Sequence, residues 1–454
     1  MVVRRKKMRL SKEDRISQLP NDLICNILSH LSTKETVKTS ILSTKWRSLW
    51  RLVPKLELDS NYFPRLMISG FISFTNSFFY FHRDSCIHKL QLRIFNSFDT
   101  YDTKIAISPW INAASARRIN HLDIHISRYN DHPVVPLSLY TCETLVPLRL
   151  HGATLVNAKF VSLPCLKIIH LEDNILPNEA TLEKLILGSP VLEDLTLIRL
   201  STDNATVLQV RSKTLKRVHV NEFTKVVIDA PLLEFLKTKV YNTKNFKIIN
   251  SDFFAKVDIS VNFNRPRLGL IPDRLANTTV IRDILTDISR VKDLVIESAT
   301  WEVILLYTQP GPLPQFPNLS CLDAKFTYSH AKMLPTLLDS CPKLESLVLE
   351  LEEDPYHVRC RKKRTPKMMF STVPVCLVSS LKFVELKRPI MGYKGEMNLI
   401  RYFLENSNIL EKLTLRRVKY NRVMAKHAMH KELHAMPRGS SSCEISFLDH
   451  KHCV

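Results

Sequence analysis

Apolar and polar residues alternate along much of this chain in short bursts. An apolar-x-apolar triplet recurs at Leu90, Leu122, Leu148, Ile169, Leu195, Val218, Leu236, Val257, Leu294, Leu322, Leu347, Val384, Leu413 and Ile445. Successive side chains of an extended backbone point to opposite faces, so each burst predicts a strand with one buried side. The mean step between bursts is about 27 residues and single steps run from 18 to 37, a repeat irregular in length and regular in form. Several copies share a lead-in, at Pro164-Cys165-Leu166, Pro190-Val191-Leu192-Glu193, Pro231-Leu232-Leu233-Glu234, Pro317-Asn318-Leu319 and Pro342-Lys343-Leu344-Glu345. Proline ends the preceding helix or turn, the following leucine anchors that turn, and the next two apolar residues fill one strand face. One such unit cannot bury its own apolar side, so neighbours must stack with parallel strands, which predicts a curved α/β solenoid.

Elsewhere the period is helical. Leu23, Ile24, Ile27, Leu28 and Leu31 share a broad helix face, with Pro20 at the first turn. After a break at Ser32-Thr33, the residues Val37, Ile41, Leu42, Trp46, Leu49 and Trp50 repeat that spacing, and Ser43 is a candidate cap between two short helices. Two or three helices in about 40 residues make a marginal core, so their surplus apolar surface calls for a partner. Lys55–Asp59 alternates as a first strand would, and Met67, Phe71, Phe74, Phe78 and Phe81 form one face of a helix. Ser108–Arg117 and Asn398–Asn406 read as short helices between strands. Pro147 lies inside the strand-like segment Thr144–Leu150, predicting a demoted strand or a bulge.

Composition narrows the function. A chain of 454 residues implies two or three domains or one elongated array. Only 8 glycines are present and no glycine-rich phosphate loop occurs, so phosphate cradling has no support. The apolar run from Leu66 to Phe81 is interrupted by polar residues and no secretory leader stands near Met1, so the expectation is a soluble protein of the cytoplasm or nucleus. Ten scattered cysteines without a Cys-x-x-Cys pair argue for reduced, structural thiols. His450, His452 and Cys453 read as a frayed tail. In His121-Leu122-Asp123-Ile124-His125 the two histidines and the aspartate share a strand face, a chance grouping with no metal expected. No nucleophile, base and carboxylate constellation stands out, so no catalytic residue and no cofactor is assigned.

The formal charge of +21 is concentrated. Residues 1–15 carry seven basic and two acidic side chains, and residues 356–438 carry nineteen and five. Arg4-Arg5-Lys6-Lys7 and Arg361-Lys362-Lys363-Arg364 match import signals or nucleic-acid contacts as well as solvated charge.

Residues 14–50 resemble the plant F-box, which reads D-R-I-S-x-L-P-D-x-L-L, I-L-S-x-L-P-T-K and T-S-x-L-S-x-R-W-x-x-L-W. The matching residues are Asp14-Arg15-Ile16-Ser17, Leu19-Pro20, Ile27-Leu28-Ser29, Leu31, Thr33-Lys34, Thr39-Ser40, Leu42-Ser43, Trp46-Arg47 and Leu49-Trp50. Asn21, Ser32 and Lys45 depart from it, standing where Asp, Pro and Arg are usual. The repeat step falls in the leucine-rich-repeat range. Leu163-Pro164-Cys165-Leu166-Lys167 and Ser189-Pro190-Val191-Leu192-Glu193 resemble the repeats of the same plant proteins. Leu381-Lys382, Tyr402-Phe403-Leu404-Glu405-Asn406, Leu410-Glu411-Lys412-Leu413 and Cys443-Glu444-Ile445 resemble their C-terminal FBD domain. The resemblance implies a basic tail at 1–12, a three-helix F-box at 13–59, an irregular leucine-rich-repeat horseshoe at 60–367, an FBD region at 368–448 and a tail at 449–454.

By that resemblance the chain is a non-catalytic substrate receptor of an SCF-type ubiquitin ligase. It would bind the Skp adaptor, and through it a cullin, by Leu19, Pro20, Ile24, Ile27, Leu28, Leu31, Ile41, Leu42, Trp46 and Trp50, some of which must instead hold the helices together. A protein substrate with an acidic surface would lie against outward strand positions such as His170, Thr196, Val348 and Thr414, steered by Arg416, Arg417 and Lys419. No membrane is expected. The rival reading is a basic repeat protein that binds nucleic acid or acts as a scaffold, although no base-reading motif accompanies the charge.

Overall fold

The structure, a computed structural model, describes residues 14–63, 68–82, 86–95, 107–127, 132–199, 207–221, 223, 225–241, 245–249, 255–262, 274–307, 313–328, 330–352, 370, 372–417 and 431–449. The basic tail at 1–12, the Arg361–Arg364 run, Lys419, the side chain of Arg417 and the group at His450, His452 and Cys453 lie outside those residues. The chain divides into two compact units, the first ending at Val191 and the second beginning at Leu192.

The first unit opens with α1 (Asn21–Ser29) and α2 (Thr33–Lys38). Pro20 is the N-cap of α1, and its carbonyl accepts from the Leu23 and Ile24 amides. A capping box starts α2, in which Ser32 Oγ accepts from the Glu35 amide and Glu35 Oε2 accepts from the Ser32 amide. From Thr39 the chain departs from the expected helices and tightens into two 3-10 turns, Thr39–Ile41 and Trp46–Leu52, neither with a side-chain cap, so Ser43 does not serve as one. Ile24, Leu28, Trp46, Leu49 and Val53 close a small core, with Leu19, Cys25 and Leu31 packed against its edge.

Five parallel strands follow in sequence order: β1 (Lys55–Asp59), β2 (Lys89–Phe95), β3 (His121–Ser127), β4 (Pro147–His151) and β5 (Ile168–Glu172). Their register lines Leu56, Leu90, Leu122, Leu148 and Ile169 into one buried row, and Leu58, Leu92, Ile124, Leu150 and Leu171 into a second. Each side chain so buried contributes roughly 1.5–3 kcal/mol, which no single repeat could obtain alone. Helices α3 (Ile68–Phe81) and α4 (Ser108–Ala116) join β1 to β2 and β2 to β3, and α5 (Glu179–Leu187) follows β5. Thr33 Oγ1 accepts from the Glu57 amide at 2.9 Å and Trp50 stacks on Phe74 at 5.8 Å, fastening the N-terminal helices to the first repeat. Pro147 neither demotes its strand nor bulges it. It is the first residue of β4, where its missing N–H removes no interior ladder bond, and it stays in register with Ile168.

The second unit continues the pattern with β6 (Asp194–Ile198), β7 (Val207–Arg211), β8 (Arg217–Asn221), β9 (Lys225–Asp229), β10 (Phe235–Tyr241), β11 (Asn245–Ile249) and β12 (Lys256–Asn262). Then come α6 (Arg274–Asp287), β13 (Asp293–Ile296), α7 (Ser298–Tyr307), β14 (Cys321–Thr327), α8 (Leu334–Asp339) and β15 (Ser346–Glu352). The last elements are α9 (Val375–Ser379), β16 (Phe383–Pro389), α10 (Lys394–Asn406), β17 (Lys412–Arg417) and β18 (Glu444–Asp449).

Ten of these strands form a parallel array in the order β6-β8-β10-β12-β13-β14-β15-β16-β17-β18, so every strand expected after Ile169 is present. The lead-in leucines Leu166, Leu192, Leu233, Leu319 and Leu344 are all buried, as their anchoring role requires. Three strands were not expected. β7, β9 and β11 pair in parallel as a separate three-stranded sheet, each falling in the chain between two strands of the main array. Their alternation, as in Val226 and Ile228, is the same signal as the main strands. α10 starts four residues before the expected Asn398 because the buried Glu396 carboxylate accepts from the Met391 and Tyr393 amides.

Candidate docking surface

Helix α1 carries two apolar stripes, each with the spacing of one helical turn. Ile24 and Leu28 are 0% and 1% exposed and belong to the core, whereas Leu23 and Ile27 are 50% and 47% exposed. Pro20 continues the outer stripe. Beyond α2, Ile41 and Leu42 stand 85% and 66% exposed, and Ile16 before α1 is 55% exposed. With Leu52 also exposed, a unit this small leaves six large aliphatic side chains in water, and scattered single exposures do not account for so many in so short a segment.

The structure thereby sorts the ten residues that the sequence pointed to. Pro20, Ile27, Ile41 and Leu42 face solvent, and Leu19 and Leu31 are half-buried at the rim of the core. Ile24, Leu28 and Trp46 are interior, covered by their own unit, and so are among those that hold the helices together. Trp50 is half-buried between Phe74 and Phe81. Ile16 and Leu23 were missed, although the four-residue step from Leu23 to Ile27 was visible in the sequence.

Polar contacts hold this frame. Trp46 Nε1 donates to Ser17 Oγ at 2.7 Å, and Lys45 Nζ donates to the Ser17 and Leu19 carbonyls at 2.6 and 2.8 Å. Lys45 thus ties the segment before α1 to the start of the last 3-10 turn. Thr36 Oγ1 donates to the Leu28 carbonyl, linking α2 to α1. Burial, with Asp22 nearby, pushes the Cys25 thiol up from its ordinary value, which leaves it a packing group and not a nucleophile.

Residues 16–58 match the F-box domain family, residues 107–251 the LRR repeats of the FBD-associated F-box protein At5g56370, and residues 370–415 the FBD family. The chain is 54% identical over 438 residues to the F-box/FBD/LRR-repeat protein At1g51370 of Arabidopsis thaliana, covering 96% of each. It is 48% identical over 441 residues to the F-box/FBD/LRR-repeat protein At5g53840 of the same plant, covering 96% of this chain and 95% of that one. The chain belongs to the F-box/FBD/LRR-repeat family. Its exposed apolar face lies wholly inside the F-box match.

The outward strand face of this F-box/FBD/LRR-repeat protein is polar and internally paired. In the second unit, Arg416 Nη2 meets Glu385 Oε1 at 2.8 Å, Lys387 meets Asp323 at 2.6 Å and Lys325 meets Glu297 at 2.9 Å. Arg416, for which a steering role was expected, is thus paired with Glu385 of the neighbouring strand. Val348 and Thr414 are half-buried on the outward face of that unit, and His170 is half-buried on that of the first. Among the described residues no helix is long and apolar enough to cross a membrane.

Proposed function

We propose that this protein is the substrate-recognition subunit of an SCF-type ubiquitin ligase, in which the F-box docks on the Skp adaptor and the repeats receive a protein substrate. The observation that carries this reading is the outer stripe of α1, Leu23 and Ile27, exposed together with Ile41 and Leu42 on a unit whose own core is complete without them. Burying four such side chains against a partner supplies the apolar anchors from which interface energy is built. The receptor contributes proximity alone: by holding a substrate lysine near a ubiquitin thioester it raises the effective concentration of the reacting pair and needs no reactive group of its own. The substrate lies against the outward strand positions, with cationic groups of the FBD region beyond Arg416 completing the contact.

Capture of purified Skp adaptor by the full chain tests the reading. Wild type binds, and Ile27→Asp, which would bury an unpaired carboxylate, does not. Apolar anchoring further requires that capture change little between about 50 and 200 mM salt, a range over which phosphate-driven binding to nucleic acid falls by orders of magnitude. Failure of the folded chain to bind the adaptor would sink the proposal, and salt-sensitive, sequence-selective RNA or DNA binding would replace it.

A further inference from the structure

The first unit carries a second feature, at the C-terminal ends of β4 and β5, that adaptor docking does not use. His151 sits opposite Glu172 in the parallel register, so both side chains rise from the outward face. The next residue, Asp173, should face the other way. Instead it has a left-handed backbone (φ 51°), breaks the alternation and brings its carboxylate back beside the other two. Donor atoms of His151, Glu172 and Asp173 all lie within 4.8 Å of one another.

One nitrogen of the imidazole is already committed. Its Nδ1 is 3.2 Å from the Ile126 carbonyl oxygen, which can only accept, so Nδ1 carries a proton and Nε2 is the nitrogen left to meet a proton or a cation. That Nε2 is 3.5 Å from Asp173 Oδ2. Nε2 therefore faces a carboxylate oxygen, a contact that a proton or a cation between the two groups would make favourable. A histidine that ligates a metal through one nitrogen typically gives its other N–H to a carbonyl in this way. The 3.5 Å separation is also close to the edge of a tetrahedron with metal–ligand bonds of about 2.1 Å, which is about 3.4 Å.

The supports are rigid. His125 stacks on the His151 ring at 3.9 Å, and Asn174, buried in the turn after β5, donates to the Leu150 carbonyl and accepts from the Ala153 amide. These bonds lock the turn that presents Asp173 against the turn that follows His151. The side chains of His151 and Asp173 are 20% and 28% exposed, so an ion can enter.

We propose that His151, Glu172 and Asp173 bind a borderline divalent cation, of which Zn2+ is the representative. One imidazole and two carboxylates neutralise a dication, and nitrogen in the set favours Zn2+ over Mg2+ or Ca2+. Three protein ligands leave the fourth position facing solvent on the outward strand face, open to water or to an oxygen of a bound partner. The grouping is not the His121, Asp123 and His125 set visible in the sequence, because it is assembled across two strands and a turn.

The test uses the full chain after chelator treatment, titrated with Zn2+ against a chromophoric competitor at neutral pH and, separately, with Co2+. The expected result is one site per chain, with a Co2+ spectrum of tetrahedral type lacking thiolate charge-transfer bands. Affinity should fall at least about 10-fold in His151→Gln and in Asp173→Asn, a change that keeps the tolerance for a left-handed backbone. Glu172→Gln, which leaves the backbone untouched, guards against a folding artefact, and all three variants are compared by metal-free melting. No uptake by the wild type, unchanged uptake by folded variants, or a thiolate spectrum would each overturn the site and leave a proton shared between His151 and Asp173.

Discussion

Trp46 Nε1 donates to Ser17 Oγ over 2.7 Å, across 29 residues of sequence, and so closes the N-terminal unit around α1. The bond ties the serine before the first helix to the tryptophan that opens the last turn. Ser17→Ala should lower unfolding free energy by about 1 kcal/mol, the ordinary net value of one such hydrogen bond, without changing the exposed apolar face. Chemical denaturation of the full chain, with adaptor capture on the same sample, checks both halves.

The two stripes of α1 separate in mutagenesis. Ile24→Ala removes core packing and should cost about 2–5 kcal/mol of stability. Ile27→Ala should leave stability within about 0.5 kcal/mol and weaken adaptor binding. Equal losses of stability in both variants would mean that the outer stripe is packed in the free protein.

Arg416 and Glu385 make a direct test of pairing on the strand face. Arg416→Glu places two carboxylates together and should destabilise the C-terminal repeats modestly, and Glu385→Arg added to it should restore them. A double-mutant cycle by thermal melting gives the coupling. Substrate capture unchanged in the double variant would place recognition elsewhere on the FBD region.

Gly152 follows β4 with φ 71°, and a Cβ there would overlap the Ile126 carbonyl oxygen that also receives His151 Nδ1. Gly152→Ala should therefore cost more than about 2 kcal/mol through strain and displacement of that carbonyl. Far-milder destabilisation in a melting curve would show that the turn relaxes freely.

His121 lends the first unit a pH dependence. Burial, with Lys89 and Arg149 adding, pulls its imidazole below the ordinary value against smaller opposing effects of Asp123 and Glu57, and its Nε2 is buried without a hydrogen-bond partner among the described residues. The unfolded chain then takes up the proton first, at about pH 6.5, so stability falls as pH drops below that value until the folded state also protonates. His121→Gln should flatten the slope of unfolding free energy by at most one proton's worth, leaving that of His82 and His125, whose imidazoles burial also lowers.

The repeating strands were legible because their signal is local. A triplet such as Leu122 to Ile124 states its own period, and stacking copies of one element demands only that each bury the same face. Ser32 and Glu35 likewise wrote their capping box into four residues. The sequence could not tell Ile24 from Ile27, since both lie on the apolar side of α1 and differ only in whether Trp46 and Leu49 return to cover them. Nor could it bring Asp173 to His151. Those pairings depend on register between strands and on one left-handed residue, which are properties of the packed chain: tertiary contacts decided which apolar groups became core, which stayed exposed, and which polar groups met.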